Sequence, residues 1–269
     1  MKIIDCFTFY NELDLLKYRL NILNETVDYF VIVEATHTFS GNPKKLFFDE
    51  SLFEEFKHKI IHVIVNDLPY IYPNISFGNM ATGGQWINEY TQRNAIDNGF
   101  TQINLDDQDI IVIADLDEIP DPSTLLKIKN NEIPVEINSL EMDLYYYNLN
   151  SQMGKWNCCK VISYKNYKEL NKTCSQIRLS DHPSIPLGGW HLSYFGNSAF
   201  IKNKIESFSH QEFNNNMFTD LSTIDTHLNN GSDLYNRNIE ILNISISDNK
   251  YLPPEYNKYL TNFIRSPLL

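Results

Sequence analysis

Apolar positions along the chain follow two rhythms. Residues 2–9 (KIIDCFTF), 29–34 (YFVIVE), 59–65 and 109–114 (DIIVIA) are short, nearly continuous apolar runs, the pattern of strands buried on both faces of a parallel sheet. After the first run, Leu13, Leu16, Leu20 and Leu23 recur at helical spacing, with Asn11 or Asp14 near the helix start. A helix-like stretch, Leu52–His58, leads to the third run. A helix from about Gln85 to Asn98, stopped by Gly99, leads to the fourth. Four strand-and-helix units in succession predict a parallel sheet with right-handed crossovers. Beyond Pro122 the rhythm changes. Val135–Asn148 and Lys160–Tyr164 read as strands of mixed alternation, which predicts a more antiparallel half. The tail holds an amphipathic stretch, Phe200–Phe213, and a helix over Phe218–Asn229 carrying Leu221, Ile224 and Leu228 and ended by Gly231.

Length and composition narrow this picture to one α/β domain over residues 1–269, with one half at about 1–122 and a second at about 123–269. A chain of 269 residues that is 42% hydrophobic, with no Pro/Gly/Ser-rich linker, can bury a single large core. Its 22 Lys and Arg against 34 Asp and Glu give a net charge of −12, which argues against nucleic acid as a partner. The four cysteines contain no C-x-x-C pair and read as reduced. No apolar run is long enough to span a membrane, and the N-terminus enters a strand without a leader-like segment, so the expectation is a soluble, cytoplasmic chain.

An acidic protein can still bind a diphosphate if a divalent cation stands between its carboxylates and the phosphate oxygens. In open α/β sheets ligands sit beyond the carboxyl ends of the strands, where the loops after Phe9, Glu34, Val65 and Ala114 emerge. The last opens with Asp115-Leu116-Asp117-Glu118, three carboxylates on a turn directly after the most hydrophobic strand. Negative charge so crowded is costly without a compensating cation. A D-x-D turn supplies the oxygen ligands that Mg²⁺ or Mn²⁺ prefers, leaving positions for water and phosphate. The bland alternative is a solvated acidic turn at the start of the helix after Pro122.

The phrases FYNELDLLKYRLNIL (9–23), VIVEATHTFSGNPK (31–44), QRNAI (92–96), IADLDEIPDP (113–122) and GGWHLSYFG (188–196) resemble the family of β-1,4-mannosyl-glycoprotein β-1,4-N-acetylglucosaminyltransferases, which add the bisecting GlcNAc. The likeness covers most of residues 3–240. It implies a GT-A type α/β fold, a mostly parallel Rossmann-like sheet flanked by helices, and an inverting displacement in which a glycan or glycoprotein hydroxyl attacks the anomeric carbon of a UDP-sugar, UDP-GlcNAc foremost.

On that resemblance Asp115 and Asp117 hold the Mn²⁺ or Mg²⁺ that neutralises the leaving diphosphate, with His191 completing the shell and Glu118 ligating through water or orienting a neighbour. Thr8, Asn11 and Glu34 lie where related enzymes grip the uridine, and Arg93 where a donor phosphate or a D-x-D carboxylate is paired. Trp190 is a candidate platform for a sugar face. The general base is expected at Asp143, in an otherwise apolar strand, or at Glu212 in the tail. Glu141 shares the strand with Asp143. Acceptor choice is expected in the loops Asn66–Gly84, Leu149–Trp156 and Asn166–Ser184. The first of these is the candidate to close over the donor. The eukaryotic enzymes resembled are anchored in the Golgi; this chain shows no anchor, so a Golgi lumen is expected only for a trimmed chain. Two other classes fit parts of the pattern: a metal-dependent phosphoryl hydrolase, for which no second Asp/His cluster is visible, and a non-catalytic carbohydrate-binding protein, which needs no D-x-D turn.

Overall fold

A computed structural model describes residues 1–265. Strands β1 (Ile3–Phe9), β2 (Tyr29–Ala35), β3 (Ile60–Val65) and β4 (Ile110–Asp115) lie side by side in the order β3-β2-β1-β4, every pair parallel. The apolar runs divide by alternation between two cores. Ile3, Phe7, Phe9, Ile32 and Val112 face one, and Ile4, Cys6, Val31, Val33, Ile111 and Ile113 face the other. Helix α1 (Leu13–Leu23) covers the first face with Leu15, Leu16, Leu20 and Leu23. The second face is covered by α2 (Gly84–Asn94) and α3 (Ile96–Phe100), whose Ile96 and Phe100 pack there.

The second half continues the same sheet. Strand β5 (Glu118–Pro120) and helix α4 (Pro122–Lys129) follow β4, and then come β6 (Ile137–Tyr146), β7 (Ser151–Trp156) and β8 (Lys160–Ser163). Strand β8 lies between β4 and β6, antiparallel to both, and β7 is antiparallel to β6. Helices α5 (Tyr164–Leu170) and α6 (Cys174–Arg178) lead to β9 (Ser184–Ser193), which runs parallel to β6 and antiparallel to β5. After α7 (Ser198–Ser207), α8 (Asn216–Thr219) and α9 (Leu221–Asn230), the short β10 (Leu242–Asn243) pairs with β7. The expected α/β architecture, parallel in its first half and more antiparallel in its second, is the one observed.

Local departures have local causes. The helix expected to stop at Gly99 is two helices, and Gly99 sits inside the second because it lies against Val31, where a Cβ would overlap the valine side chain. The stretch at Leu52–His58 is a 3₁₀ segment over Glu50–Phe56, capped by the Asp49 side chain. The tail helix begins at Leu221, where Asp220 accepts from the Thr223 N–H, and ends on Gly231 in the left-handed region. Residues 149–156 and 166–184, read as loops, hold β7 and the helices α5 and α6. Strand β7 escapes notice because it carries Gly154 at φ +118 and no clean alternation. The four cysteines are free. Among the described residues no helix is long and apolar enough to cross a membrane.

Candidate active site

The parallel order β3-β2-β1-β4 places a topological switch between β1 and β4, the position at which open sheets leave a crevice beyond their carboxyl ends. In register there stand Thr8 and Asp115. They border a cavity of about 440 Å³ lined by Asp115, Leu116 and Asp117 of the acidic turn, by Arg93, Arg178, Lys204 and His191, and by the apolar walls Phe9, Phe39, Trp86 and Phe208. This volume is within the range of small-molecule sites.

The turn is held from beneath. Arg19, at 0% exposure, binds the Asp5 carboxylate through two nitrogens at 2.6 and 2.7 Å. Its remaining Nη1 donates to the carbonyls of Asp115, Leu116 and Glu118 at 2.9, 3.0 and 2.7 Å. One guanidinium therefore fixes the backbone path of the D-x-D turn. Glu118, at 0% exposure, points inward. It accepts from both terminal nitrogens of Arg178 at 2.6 Å, from the indole of Trp156, and from the backbone N–H of Asp115 at 2.9 Å.

The two aspartates are paired differently. Asp115 accepts from Thr8 Oγ1 at 2.9 Å, from Arg93 at 2.9 Å and from Arg178 at 2.7 Å. Asp117 divides its oxygens: Oδ2 meets Lys204 Nζ at 2.8 Å, while Oδ1 faces His191 Nε2 at 3.5 Å. Strand β9 delivers the histidine, since Glu118 and His191 are partners across the β5–β9 ladder. Close approach of those strands requires Gly189 at φ +141, where a Cβ would overlap the Ile119 carbonyl.

Burial opposes ionisation of Asp115, but Arg178 and Arg93 outweigh it and hold the carboxyl well below the usual range. Burial likewise opposes ionisation of Asp117, and Lys204 and His191 outweigh it. For Lys204, burial lowers the pKa, and Asp117 and Glu12 overcome this to raise it. Groups with depressed pKa contribute stability that is present above their unfolded values, near 4, and lost as pH falls through the folded ones. For the raised lysine the contribution is full below about pH 10 and lost above it. Melting temperature is therefore expected to hold steady from about pH 5 to pH 9 and to drop below about pH 4, measured by differential scanning fluorimetry across that range. A steady decline beginning at pH 6 would contradict this account.

The structure brings Thr8, Arg93, Asp115, Asp117 and His191 together around this cavity. Five other sequence candidates lie elsewhere. Glu34 is at 0% exposure and is saturated by Lys44, His62 and the backbone N–H groups of Phe47 and Phe48. It fastens the loop that carries His37, Thr38 and Phe39 to the cavity wall and has no lone pair left for a nucleoside. Trp190 is a core residue, packed on the Tyr251 ring and donating to the Tyr251 carbonyl at 3.0 Å. Asp143 is paired with Lys155 at 2.6 Å, and Glu212 with His210 on the surface. Neither carboxylate lines the cavity, and Asn11 lines a neighbouring groove instead.

Arg178 and Lys204 escape sequence reading because each becomes meaningful only once the chain has folded around the acidic turn. Arg19 and Asp5 carry a legible signal: a cation on the buried stripe Leu15-Leu16-Arg19-Leu20-Leu23 and an anion inside an apolar strand. Two charges placed where burial is certain must find each other.

Asp115, Asp117 and His191 do not form one shell. Among the described residues no three His, Cys, Asp or Glu side chains stand at metal-binding spacing, because Asp115 is turned toward its two arginines. Asp117 Oδ1 and His191 Nε2 face each other 3.5 Å apart, a separation that two ligands of one divalent cation can adopt.

Residues 1–242 match Glycosyltransferase family 17. The chain belongs to that family. Every residue of the cavity described above lies inside the matched region, and membership sets aside the phosphoryl-hydrolase and non-catalytic readings. This family 17 chain is 31% identical over 134 residues to the β-1,4-mannosyl-glycoprotein 4-β-N-acetylglucosaminyltransferases of Rattus norvegicus and Homo sapiens. That stretch is 48% of this chain and 23% and 24% of theirs, so the match spans about a quarter of those relatives. Among solved structures, it is similar to a 4-diphosphocytidyl-2C-methyl-D-erythritol synthase from Anaerococcus prevotii (12% identity, TM-score 0.35, 85% of this chain and 98% of that one). A second is the galactosyltransferase LgtC (10% identity, TM-score 0.33, 65% and 62%).

Proposed function

We propose that this family 17 chain is an inverting, metal-dependent transferase that passes GlcNAc from UDP-GlcNAc to a hydroxyl of a glycan or glycoprotein acceptor. The observation that carries this reading is the Asp117–His191 pair, brought together just beyond the carboxyl end of β4 with Oδ1 and Nε2 3.5 Å apart. The relatives' names, which specify N-acetylglucosaminyl transfer, support the choice of sugar.

Charge balance supports a metal-bridged diphosphate. Arg93, Arg178, Lys204 and Lys44 line the cavity against Glu12, Glu89, Asp115 and Asp117, so the walls alone are close to neutral. A Mn²⁺ or Mg²⁺ ion held by Asp117 and His191 supplies, when bound, the Lewis acidity that stabilises the departing UDP. The chain's own residues do the rest. Arg93 and Arg178 pin Asp115 beside the phosphate path, Thr8 fixes the same carboxylate from β1, and the apolar walls Phe39 and Trp86 offer a dry slot to the uracil ring.

Thermal-shift titration with UDP, GDP and UDP-GlcNAc, each with Mn²⁺ and with EDTA, tests this. A ligand at about a hundred times its Kd adds about 2.7 kcal/mol of stability, a shift of several degrees. Uridine nucleotides are expected to stabilise the wild type only with the metal, and Asp117→Ala to lose the effect. Equal stabilisation in EDTA removes the metal from the reading, and no shift with any nucleotide removes the donor.

A further inference from the structure

We propose that the groove on the far side of Glu12 receives the acceptor, and that Glu12 is the general base which takes the proton from the attacking hydroxyl. The inference rests on the donor reading above and adds the second substrate to it.

Glu12 is a wall residue of two concavities at once. One is the cavity around Asp117; the other is a groove of about 690 Å³ between the start of α1 and the segment Phe195–Phe200. Its position at the head of α1 is that of an N-cap, yet its side chain caps nothing. Instead Oε2 accepts from the Asn11 N–H at 3.1 Å, and Oε1 stands 3.4 Å from Lys204 Nζ, which is itself 2.8 Å from Asp117. The carboxylate is thus aimed at the boundary between the cation-binding aspartate and the groove. Among the other carboxylates of the cavity, Glu89 is held by Arg93 and Ser209 and does not reach the groove.

The groove has the features a sugar needs. Phe195, Phe200, Tyr147 and Phe263 give it aromatic faces, and the bare Cα of Gly196 leaves room for the Phe200 ring, which a Cβ there would overlap. Asn11 Oδ1 is buried without a partner while the same amide donates to Asn203 at 3.1 Å. An acceptor hydroxyl supplies the missing donor. The atoms balance in one displacement. The acceptor O–H gives its proton to the Glu12 carboxylate, the oxygen bonds to the anomeric carbon, and the bond from that carbon to the diphosphate oxygen breaks with its electron pair leaving on UDP.

Glu12→Gln keeps size and polarity, so its fold is checked by melting temperature. UDP release from UDP-GlcNAc in a mixture of mannose-terminated oligosaccharides is expected to fall at least 100-fold, with the UDP-induced thermal shift unchanged. Release within threefold of wild type overturns the assignment. So does loss of the thermal shift, which would make Glu12 part of the donor site alone. The groove is tested separately by binding of Glu12→Gln with UDP to a glycan array. Retention of glycans that disappears when Phe200→Ala is added supports the groove; retention unaffected by Phe200→Ala, or no retention at all, overturns it. A wild type that shows no uridine-nucleotide shift would instead remove the donor reading on which both arms stand.

Discussion

Arg19→Ala is expected to cost about 3–5 kcal/mol of stability and to abolish transfer in whatever protein still folds. The substitution strands Asp5 at 0% exposure without a counter-charge and leaves the carbonyls of Asp115, Leu116 and Glu118 without their common donor. The unpaired buried carboxylate sets the larger cost; three orphaned carbonyls add to it. Urea titration followed by tryptophan fluorescence reads the first effect and UDP release the second. Replacing the pair together, as Asp5→Leu with Arg19→Met, removes both charges and is expected to recover much of the stability while leaving activity low, because no apolar side chain can shape the turn. Recovery of activity in the double variant would show that the turn holds its path unaided.

Arg178→Ala is expected to be nearly as damaging, and for a different reason. Asp115 loses one of its two guanidinium partners and keeps Arg93, whereas Glu118 loses its guanidinium altogether and is left buried with only the Trp156 indole and one backbone N–H. A loss of about 3–5 kcal/mol, or roughly 10 °C in melting temperature, follows. Arg178→Lys separates charge from geometry: a lysine restores the positive charge but not the bidentate grip on Glu118 together with the reach to Asp115. It is expected to recover part of the stability and little of the transfer, measured by differential scanning fluorimetry and UDP release on the same samples. Full activity in Arg178→Lys would show that charge alone suffices.

Much of the framework is legible in the sequence because local rules govern it. The runs 2–9, 29–34 and 109–114 are buried on both faces, and 59–65, at the sheet edge with Ile64 exposed, is apolar enough to be read with them, so hydrophobicity marks all four as parallel strands and their order places Asp115 and Asp117 at a strand end. The partners of those aspartates are another matter. Lys204 lies 87 residues beyond Asp117 and Arg178 lies 63 beyond Asp115. No spacing rule spans such a distance, and a lysine on the amphipathic helix α7 looks like any solvated cation until the fold turns it inward. Glu34 shows the converse. A carboxylate at a strand end reads as a ligand contact, and four internal donors had already claimed it. Asp143 reads as a base because an acid in an apolar strand is costly, and Lys155 on the neighbouring strand meets that cost.

The ladder joining Glu118 to His191 has a consequence for how the chain is made. A ribosome emits Arg93 and then the acidic turn, and the other counter-charges come last: Arg178, then His191, then Lys204. Until those residues emerge, Arg93 can answer only Asp115, and the unmatched Asp117 and Glu118 favour water over the crevice. The first four strands can associate early, but their carboxyl end stays open and hydrated until synthesis passes Lys204. Nascent chains arrested short of that residue are therefore expected to be protected from proteolysis in β1 to β4 and cut readily between Asp115 and Pro120, so that this enzyme is assembled before it is armed.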